Sequence, residues 1–378
     1  MQCGNLQTGT ESDEVQLMST IIFTMTHKAF TPPADPMFVP LQVGRAIGKD
    51  LGYIGDDTGD SISKWNPYFS ELTGMYWVWK NFRTEGNVGL CHYRRFLIHE
   101  NGNVITEQEY DRLLQNYDLV TTKQVVLNNS YYDGYAVNHH IKDLIETGNV
   151  IREFYPQYHE AFEQIVHGNR TYFGNMIVCK KELFDAYCEW LFGILLKVKE
   201  RVDVEHYDNY RKRVFGFISE VLLLVYTMHH RLKVKECKVG MPGEKAETRE
   251  VKMQLAEFFR ERDFIGAGVC FKAALEKRPD ILMEASDVDG HLMMSLEIIT
   301  ICEQEKAAGR ETILEVVNEF EMLMFWITEL NKLVDANTKN SMTEKDWEQL
   351  CREKHISPQA YEVARVVAGR KRKLSLAD

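Results

Sequence analysis

Residues 87–95 read Asn-Val-Gly-Leu-Cys-His-Tyr-Arg-Arg. The stretch Asn87–Tyr93 is short and apolar, and it stops on Arg94 and Arg95. A run too short for a helix and closed by charge predicts a buried strand that empties into a polar loop. Ser19–Thr26 (STIIFTMT) repeats the pattern and gives way at once to His27 and Lys28. Tyr117–Thr122 (YDLVTT) and Tyr172–Cys179 (YFGNMIVC) read as further strands, and Phe38–Val43 as a short one.

Helical patterns separate these strands. Asn66-Pro67 opens a helix in which Tyr68, Leu72, Met75, Tyr76 and Trp79 recur at three- and four-residue spacing. Ile105–Asn116, Asn149–His167, Lys180–Arg201 and Tyr210–His230 also read as helices, and Tyr131–Thr147 as helix and loop. Strand alternating with helix predicts an α/β sheet. In open α/β sheets ligands bind beyond the carboxyl ends of the strands, where His27-Lys28 and Arg94-Arg95 fall.

The character changes at Lys238–Ala246 (KVGMPGEKA), which predicts a linker with no strand after it. The expected division is a variable extension at 1–18, an α/β domain at 19–240 and an all-α domain at 241–378. Residues 248–275 read as a helix pair broken near Asp263. Phe258, Ala267, Phe271, Ala274 and Pro279 stand where a tetratricopeptide-type repeat puts aromatic, small and proline residues. A basic stretch, Arg370–Lys373, follows near the end.

Composition excludes several classes. Hydrophobic residues make up 44% of the 378, enough for more than one packed core. A net charge of −11 opposes nucleic acid as the main partner, since phosphate binding needs a basic field. The eight Cys are scattered with no C-x-x-C pair, against a zinc ribbon or a disulfide scaffold. The polar start Met1–Glu14 lacks an apolar signal region, and runs such as Trp190–Leu196 and Val221–Tyr226 are too short to span a bilayer. A soluble, cytoplasmic protein is expected. Phosphate-loop, dinucleotide-fold, nucleophile-elbow and zinc-protease signatures are absent from the sequence.

Four clusters could carry chemistry. Asp56-Asp57-x-x-Asp60 offers hard oxygen ligands for a divalent metal, or caps and turn contacts. His92-Tyr93-Arg94-Arg95 presents guanidinium forks suited to phosphate, with adjacent Arg pointing opposite ways if the strand continues. Glu220, in Gly216-Phe217-Ile218-Ser219-Glu220, sits inside an apolar helix; burial would raise its pKa and prepare a base, or it pairs with Arg211 or Arg213. His139, followed by His140, offers contacts to phosphate or substrate hydroxyls, or is a plain loop histidine.

Seven motifs then come in order: Thr26-His27-Lys28, Pro40–Gly44, Asp57–Ser63, Glu71-Leu72-Thr73 with Tyr76–Asn81, Gly89–Arg95, Tyr187–Phe192, and Arg213–Glu220. Together, over residues 20–230, they resemble the bacterial capsular and exopolysaccharide biosynthesis family long labelled a domain of unknown function. That resemblance implies a glycosyltransferase-A-like, Rossmann-type α/β sandwich followed here by an unmatched helical region. It implies transfer of a sugar, galactofuranose or another hexose, from a nucleoside-diphosphate donor, foremost a UDP-sugar, to a glycan or lipid-linked acceptor. His27, Lys28, Asp57, Asp60, His92 and Tyr93 would meet the donor, and Arg94 and Arg95 would neutralise the leaving diphosphate. Glu220 would be the base if the reaction inverts configuration, with Phe173, Gly174, Asn175 and His139 on the acceptor side. The chain departs from such enzymes in lacking Asp-x-Asp at the strand end before Arg94. Asp57 and Asp60 would then hold Mn2+ or Mg2+, with Asp118 in reserve, or cationic side chains replace the metal. The expected setting is cytoplasmic or peripheral to the inner face of the cell membrane; the resemblance implies nothing for the helical region, which is expected on its own account to hold a homodimer or dock other assembly enzymes. The rival readings are a scaffold acting through that region, and a hydrolase, for which no carboxylate pair stands out.

Overall fold

The structure, a computed structural model, describes residues 19–241, 243–283, 286–337, 349, 351–353 and 355–375. The expected extension at 1–18 lies outside them. The strands are β1 (Thr20–Thr26), β2 (Phe38–Gln42), β3 (Ile54–Gly55), β4 (Asn87–His92), β5 (Phe96–Ile98), β6 (Leu119–Thr122), β7 (Val125–Val126), β8 (Arg170–Thr171), β9 (Ile177–Lys180) and β10 (Val234–Gly240). Eight of them form one sheet in the order β3-β2-β1-β4-β9-β6-β10-β5, and β7 pairs with β8. From β3 to β4 the pairing is parallel. β9 then runs antiparallel between β4 and β6, β10 lies parallel to β6, and β5 closes the edge antiparallel to β10.

Both faces of the central strands are covered, which is why they read as continuous apolar runs rather than alternating ones. Phe23, Met25, Val88, Leu90, Leu119 and Cys179 enter one core. Their neighbours Ile22, Cys91, Val120 and Val178 enter another on the opposite face. The first face carries α1 (Asn66–Phe69), α2 (Leu72–Asn81), α4 (Tyr131–Asn138), α5 (Ile141–Phe154), α6 (His159–Val166), α7 (Lys181–Arg201) and α8 (Val214–His229), while α3 (Glu107–Leu113) covers the second. A capping box between Thr106 and Glu109 starts α3.

Four expectations need correction. The helix opening at Asn66 is two, because Ser70 takes a left-handed φ of 51° between α1 and α2. The Asn149–His167 helix is likewise broken, at Tyr155-Pro156, since proline cannot continue the ladder of α5. Only Ile177–Cys179 of the stretch Tyr172–Cys179 is strand, and that strand runs on to Lys180; Phe173-Gly174-Asn175 is a loop in which Gly174 and Asn175 have φ of 95° and 49°. The predicted linker begins too early, because Val234–Gly240 is β10. Its Lys235, Glu236 and Lys238 masked it as a strand.

Beyond Gly240 the described residues form α9 (Ala246–Arg260), α10 (Phe264–Lys277), α11 (His291–Ala307), α12 (Phe320–Asn337) and a final helix, Pro358–Ser375, which contains Arg370–Lys373. They share their own core, with Leu255, Phe259, Ala267, Phe271 and Leu292 buried. Asp263 caps α10, accepting from Gly266 N at 2.8 Å. Phe259, rather than the expected Phe258, fills the buried position. Among the described residues no helix is long and apolar enough to cross a membrane. The seven cysteines among the described residues are free thiols, five of them buried.

Candidate active site

Three chain segments converge at the carboxyl edge of the sheet. β4 delivers His92 there, and antiparallel β9 places the loop before it, Gly174-Asn175, against that end, with Leu90 opposite Ile177. The N-terminal half of α8 adds Glu220. Gly174 donates its backbone N–H to Glu220 Oε1 at 2.7 Å, and its carbonyl meets His92 Nε2 at 2.5 Å. A φ of 95° is open to glycine at little cost, so Gly174 can turn both its groups onto catalytic-type side chains.

Asn175 extends the network. Its Nδ2 donates to Glu71 Oε1 at 2.7 Å and to Gly216 O at 3.1 Å, while Ser219 Oγ donates to its Oδ1 at 2.8 Å. Two carboxyls thus meet across one loop, and their environments set them apart. Burial pushes Glu220 up to about 8, helped by the negative Glu71 and opposed by the Gly174 N–H, Arg95 and Arg213. Burial also opposes ionisation of Glu71, but His92, the Asn175 hydrogen bond and Arg213 outweigh it and hold that carboxyl below its ordinary value. Burial lowers His92, against the pull of Glu71. At neutral pH the pair therefore splits into an ionised Glu71 and a protonated Glu220.

Arg94 and Arg95 do not continue β4: the chain turns at Tyr93-Arg94, with the Arg95 N–H donating to His92 O at 3.0 Å and the His92 N–H to Arg95 O at 3.2 Å, and the two side chains part there. Arg94 Nη2 donates to Gly243 O at 2.8 Å, beside the helical region. Arg95 lies toward the loop, 3.5 Å from where a Cβ on Gly174 would stand, and its charge is felt at His92 and Glu220. Tyr93 packs against His27, their rings 5.4 Å apart, and against Phe30. His27 and Lys28 are exposed in the loop after β1, and Lys28 Nζ lies 3.7 Å from Glu247 of α9. The protein packed along one side of its ring, where Tyr93 lies, and the adjacent Lys28 lower the His27 pKa.

His139 joins an aromatic cluster rather than an open loop: its ring lies 4.3 Å from Phe217 and 5.5 Å from Tyr210. Burial, with Arg211, lowers its pKa to about 4. Phe173 is half-buried, its carbonyl accepting from Thr122 Oγ1 at 3.3 Å.

The acidic loop stands apart from this network. Asp57 Oδ1 is gripped by Arg45, with Nε and Nη2 each at 2.7 Å, and Asp60 Oδ1 accepts from Tyr76 OH at 3.0 Å. Buried Asp56 accepts from the N–H groups of Gly44 and Arg45 and from Ser63 Oγ. Asp118 Oδ2 accepts from Lys233 N at 2.6 Å, at the amino end of β10. These acids fit a divalent metal poorly, since each already holds a donor. Among the described residues one trio of acids lies close enough for a cation, Glu244, Asp287 and Asp289, and the Lys252 ammonium bridges all three.

Glu71 is the residue that sequence reasoning passed over. It lies in one of the seven motifs, but it opens α2 with no apolar run to mark it as buried. Its partner Asn175 is more than a hundred residues away in sequence.

Parallel strands in the order β3-β2-β1-β4, an antiparallel strand next, and a polar site at the carboxyl edge define a glycosyltransferase-A-like α/β fold followed by a helical region. The solved apo structure of WbbM, a bifunctional glycosyltransferase, is similar to it, with a TM-score of 0.55 and 31% identity. The match covers 60% of this chain and 46% of the WbbM chain, so it spans about half of that protein. Residues 21–231 match the family described as a domain of unknown function, DUF4422, and the chain belongs to that family. No curated protein matches it.

Proposed function

We propose that the protein is a glycosyltransferase that moves a hexosyl group, galactofuranose or another hexose, from a nucleoside-diphosphate donor to a hydroxyl of a glycan or lipid-linked acceptor. The observation that carries this reading is Glu220, a carboxyl raised to about 8 and aimed by the Gly174 N–H, with the guanidinium of Arg95, unpaired among the described residues, beside it. A carboxylate with a pKa near the working pH suits general-base catalysis. Glu220, once ionised, takes the proton of the acceptor hydroxyl as that oxygen bonds to the anomeric carbon. The bond from that carbon to the diphosphate oxygen breaks, and Arg95 neutralises the charge left on the departing diphosphate. Such direct displacement inverts the anomeric configuration.

Cationic side chains take the place of a metal in this reading. The similarity to WbbM supports the reaction class. The surroundings proposed are cytoplasmic, at the membrane face where lipid-linked acceptors are built. The Glu71 and Glu220 pair also raises hydrolysis, with water as acceptor. Asn175 and Arg213, however, commit Glu71 to holding the loop and to balancing charge.

The test is a thermal-shift series with UDP, GDP, CDP and ADP and their sugar-bearing forms, with Mn2+ and with a chelator. A ligand of the folded state raises the melting temperature by mass action. One base is expected to raise it in both forms and in chelator. If no nucleoside diphosphate does so at millimolar concentration, the proposal falls; release of free sugar from an oligosaccharide without nucleotide supports hydrolysis instead.

A further inference from the structure

The strand that sequence reasoning missed sends the helical region into the site. β10 runs parallel to β6, so it ends at the carboxyl edge. There Gly240 pairs with Phe96, the residue after Arg95. The chain leaving β10 therefore starts beside the Arg94-Arg95 corner. It is held there by Arg94, which donates to Gly243 O at 2.8 Å, and by Glu247, which faces Lys28. Between these two contacts lies Lys245, the residue that precedes α9.

Lys245 is mostly buried. Its Nζ lies 3.0 Å from Ser286 Oγ and 3.4 Å from Asp280 Oδ2, and Arg278 grips the same Asp280 with Nε at 3.2 Å and Nη2 at 2.8 Å. One carboxylate thus serves two cations. We infer that Lys245, backed by Arg278, forms the outer wall of the donor site and holds the diphosphate against Arg95, so that the helical region completes a site the sheet only half builds. This inference rests on the function proposed above.

The charges around the Arg94-Arg95 corner support it. Lys28, Arg95, Arg213, Lys245 and Arg278 stand against Glu71, Glu247 and Asp280, with Glu220 held protonated. Five cations against three anions leave two positive charges unmatched, and a nucleoside diphosphate sugar carries a negative charge on each phosphate. Burial, with Arg278 and Arg95 nearby, lowers Lys245 to about 8 despite Asp280. Such a group gains a proton when an anion arrives. Thr248, in the first turn of α9, is buried with a hydroxyl that has no hydrogen-bond partner among the described residues.

The experiment is calorimetric titration of the full-length protein with the nucleoside diphosphate found above, and with its nucleoside, for wild type, Lys245→Gln and Lys245→Arg. Losing a charge-assisted contact should weaken diphosphate binding by roughly tenfold to a hundredfold in Lys245→Gln. Nucleoside binding should hold, and Lys245→Arg should recover most of the loss. Repeating the titration near pH 8 in buffers of different ionisation enthalpy counts protons taken up; Lys245→Gln should take up fewer than wild type. A purely structural lysine would leave that count unchanged. If wild type binds no nucleoside diphosphate, the functional proposal fails. If wild type binds and Lys245→Gln binds as tightly with the same proton uptake, this inference alone is overturned. Should Lys245→Gln melt early without ligand, Arg278→Gln serves in its place. It should weaken diphosphate binding and spare nucleoside binding, and equal binding of both would overturn the inference.

Discussion

Two polar loops off the same sheet treat their charges in opposite ways. The Asp56–Ser63 loop satisfies itself: Asp56 takes three donors, Asp57 takes Arg45, and Asp60 takes Tyr76. The Gly174 corner does not. It holds one carboxyl ionised and its neighbour protonated, and it leaves the Arg95 guanidinium without a hydrogen bond among the described residues. The acid-rich loop looks more like a binding motif in sequence, yet it is closed. Charge left uncompensated, rather than charge abundance, marks the site, because a site must spend its electrostatics on something that arrives.

The largest effect that tests this contrast is on turnover in Glu220→Gln. The amide keeps an acceptor for the Gly174 N–H but cannot take a proton. The rate of sugar transfer should fall by ~10²–10⁴, and wild-type kcat/KM should climb with pH up to about 8. The same group sets a signed effect on stability. Its folded pKa lies above its unfolded value of about 4.3, so the folded state binds more protons between them. The stability this group contributes is complete below that unfolded value and drains away as pH rises through about 8. Melting of Glu220→Gln should therefore gain on wild type from pH 5 to 8 and hold that gain above. A constant difference would place Glu220 in solvent. Next in size is Arg95→Gln, expected to lower the transfer rate by about 10²–10³. Arg94→Gln loses a contact to Gly243 O and should cost about 1 kcal/mol of stability, with far less effect on rate. Equal rate losses in the two would erase the distinction between them.

Much of the fold was legible because buried parallel strands announce themselves. β1, β2, β4 and β6 all fall where apolar runs end in polar residues, and α7 and α8 follow the helical period. β10 was not, since Lys235, Glu236 and Lys238 break its apolar pattern; Glu236 instead engages Gln124 and Tyr172. At the candidate site, strand-end logic singled out Arg95, the residues alone left Glu220 between a base and an ion pair, and the seven ordered motifs named the family and with it the role expected of Glu220. Glu71 and Lys245 were not. Each is brought in by a tertiary contact, with Asn175 or with the end of β10, that no local pattern encodes. The acidic loop shows the converse limit: spacing shows that acids are near one another, not which donors already occupy them.

The smallest effects belong to that loop, and they separate its two neighbours. Asp56 is fully buried and accepts from two N–H groups and a hydroxyl, so Asp56→Ala strands donors in the interior. It should cost about 3 kcal/mol, read as a lower denaturation midpoint with an unchanged slope. Asp57 is part-exposed at the rim, where its pair with Arg45 is screened. Asp57→Asn should cost ~0.5 kcal/mol at most. Its transfer rate should match wild type in manganese and in chelator alike. A variant that loses activity only when manganese is withheld or supplied would show that Arg45 is a placeholder for a metal, and the closed loop would then be the second half of the site.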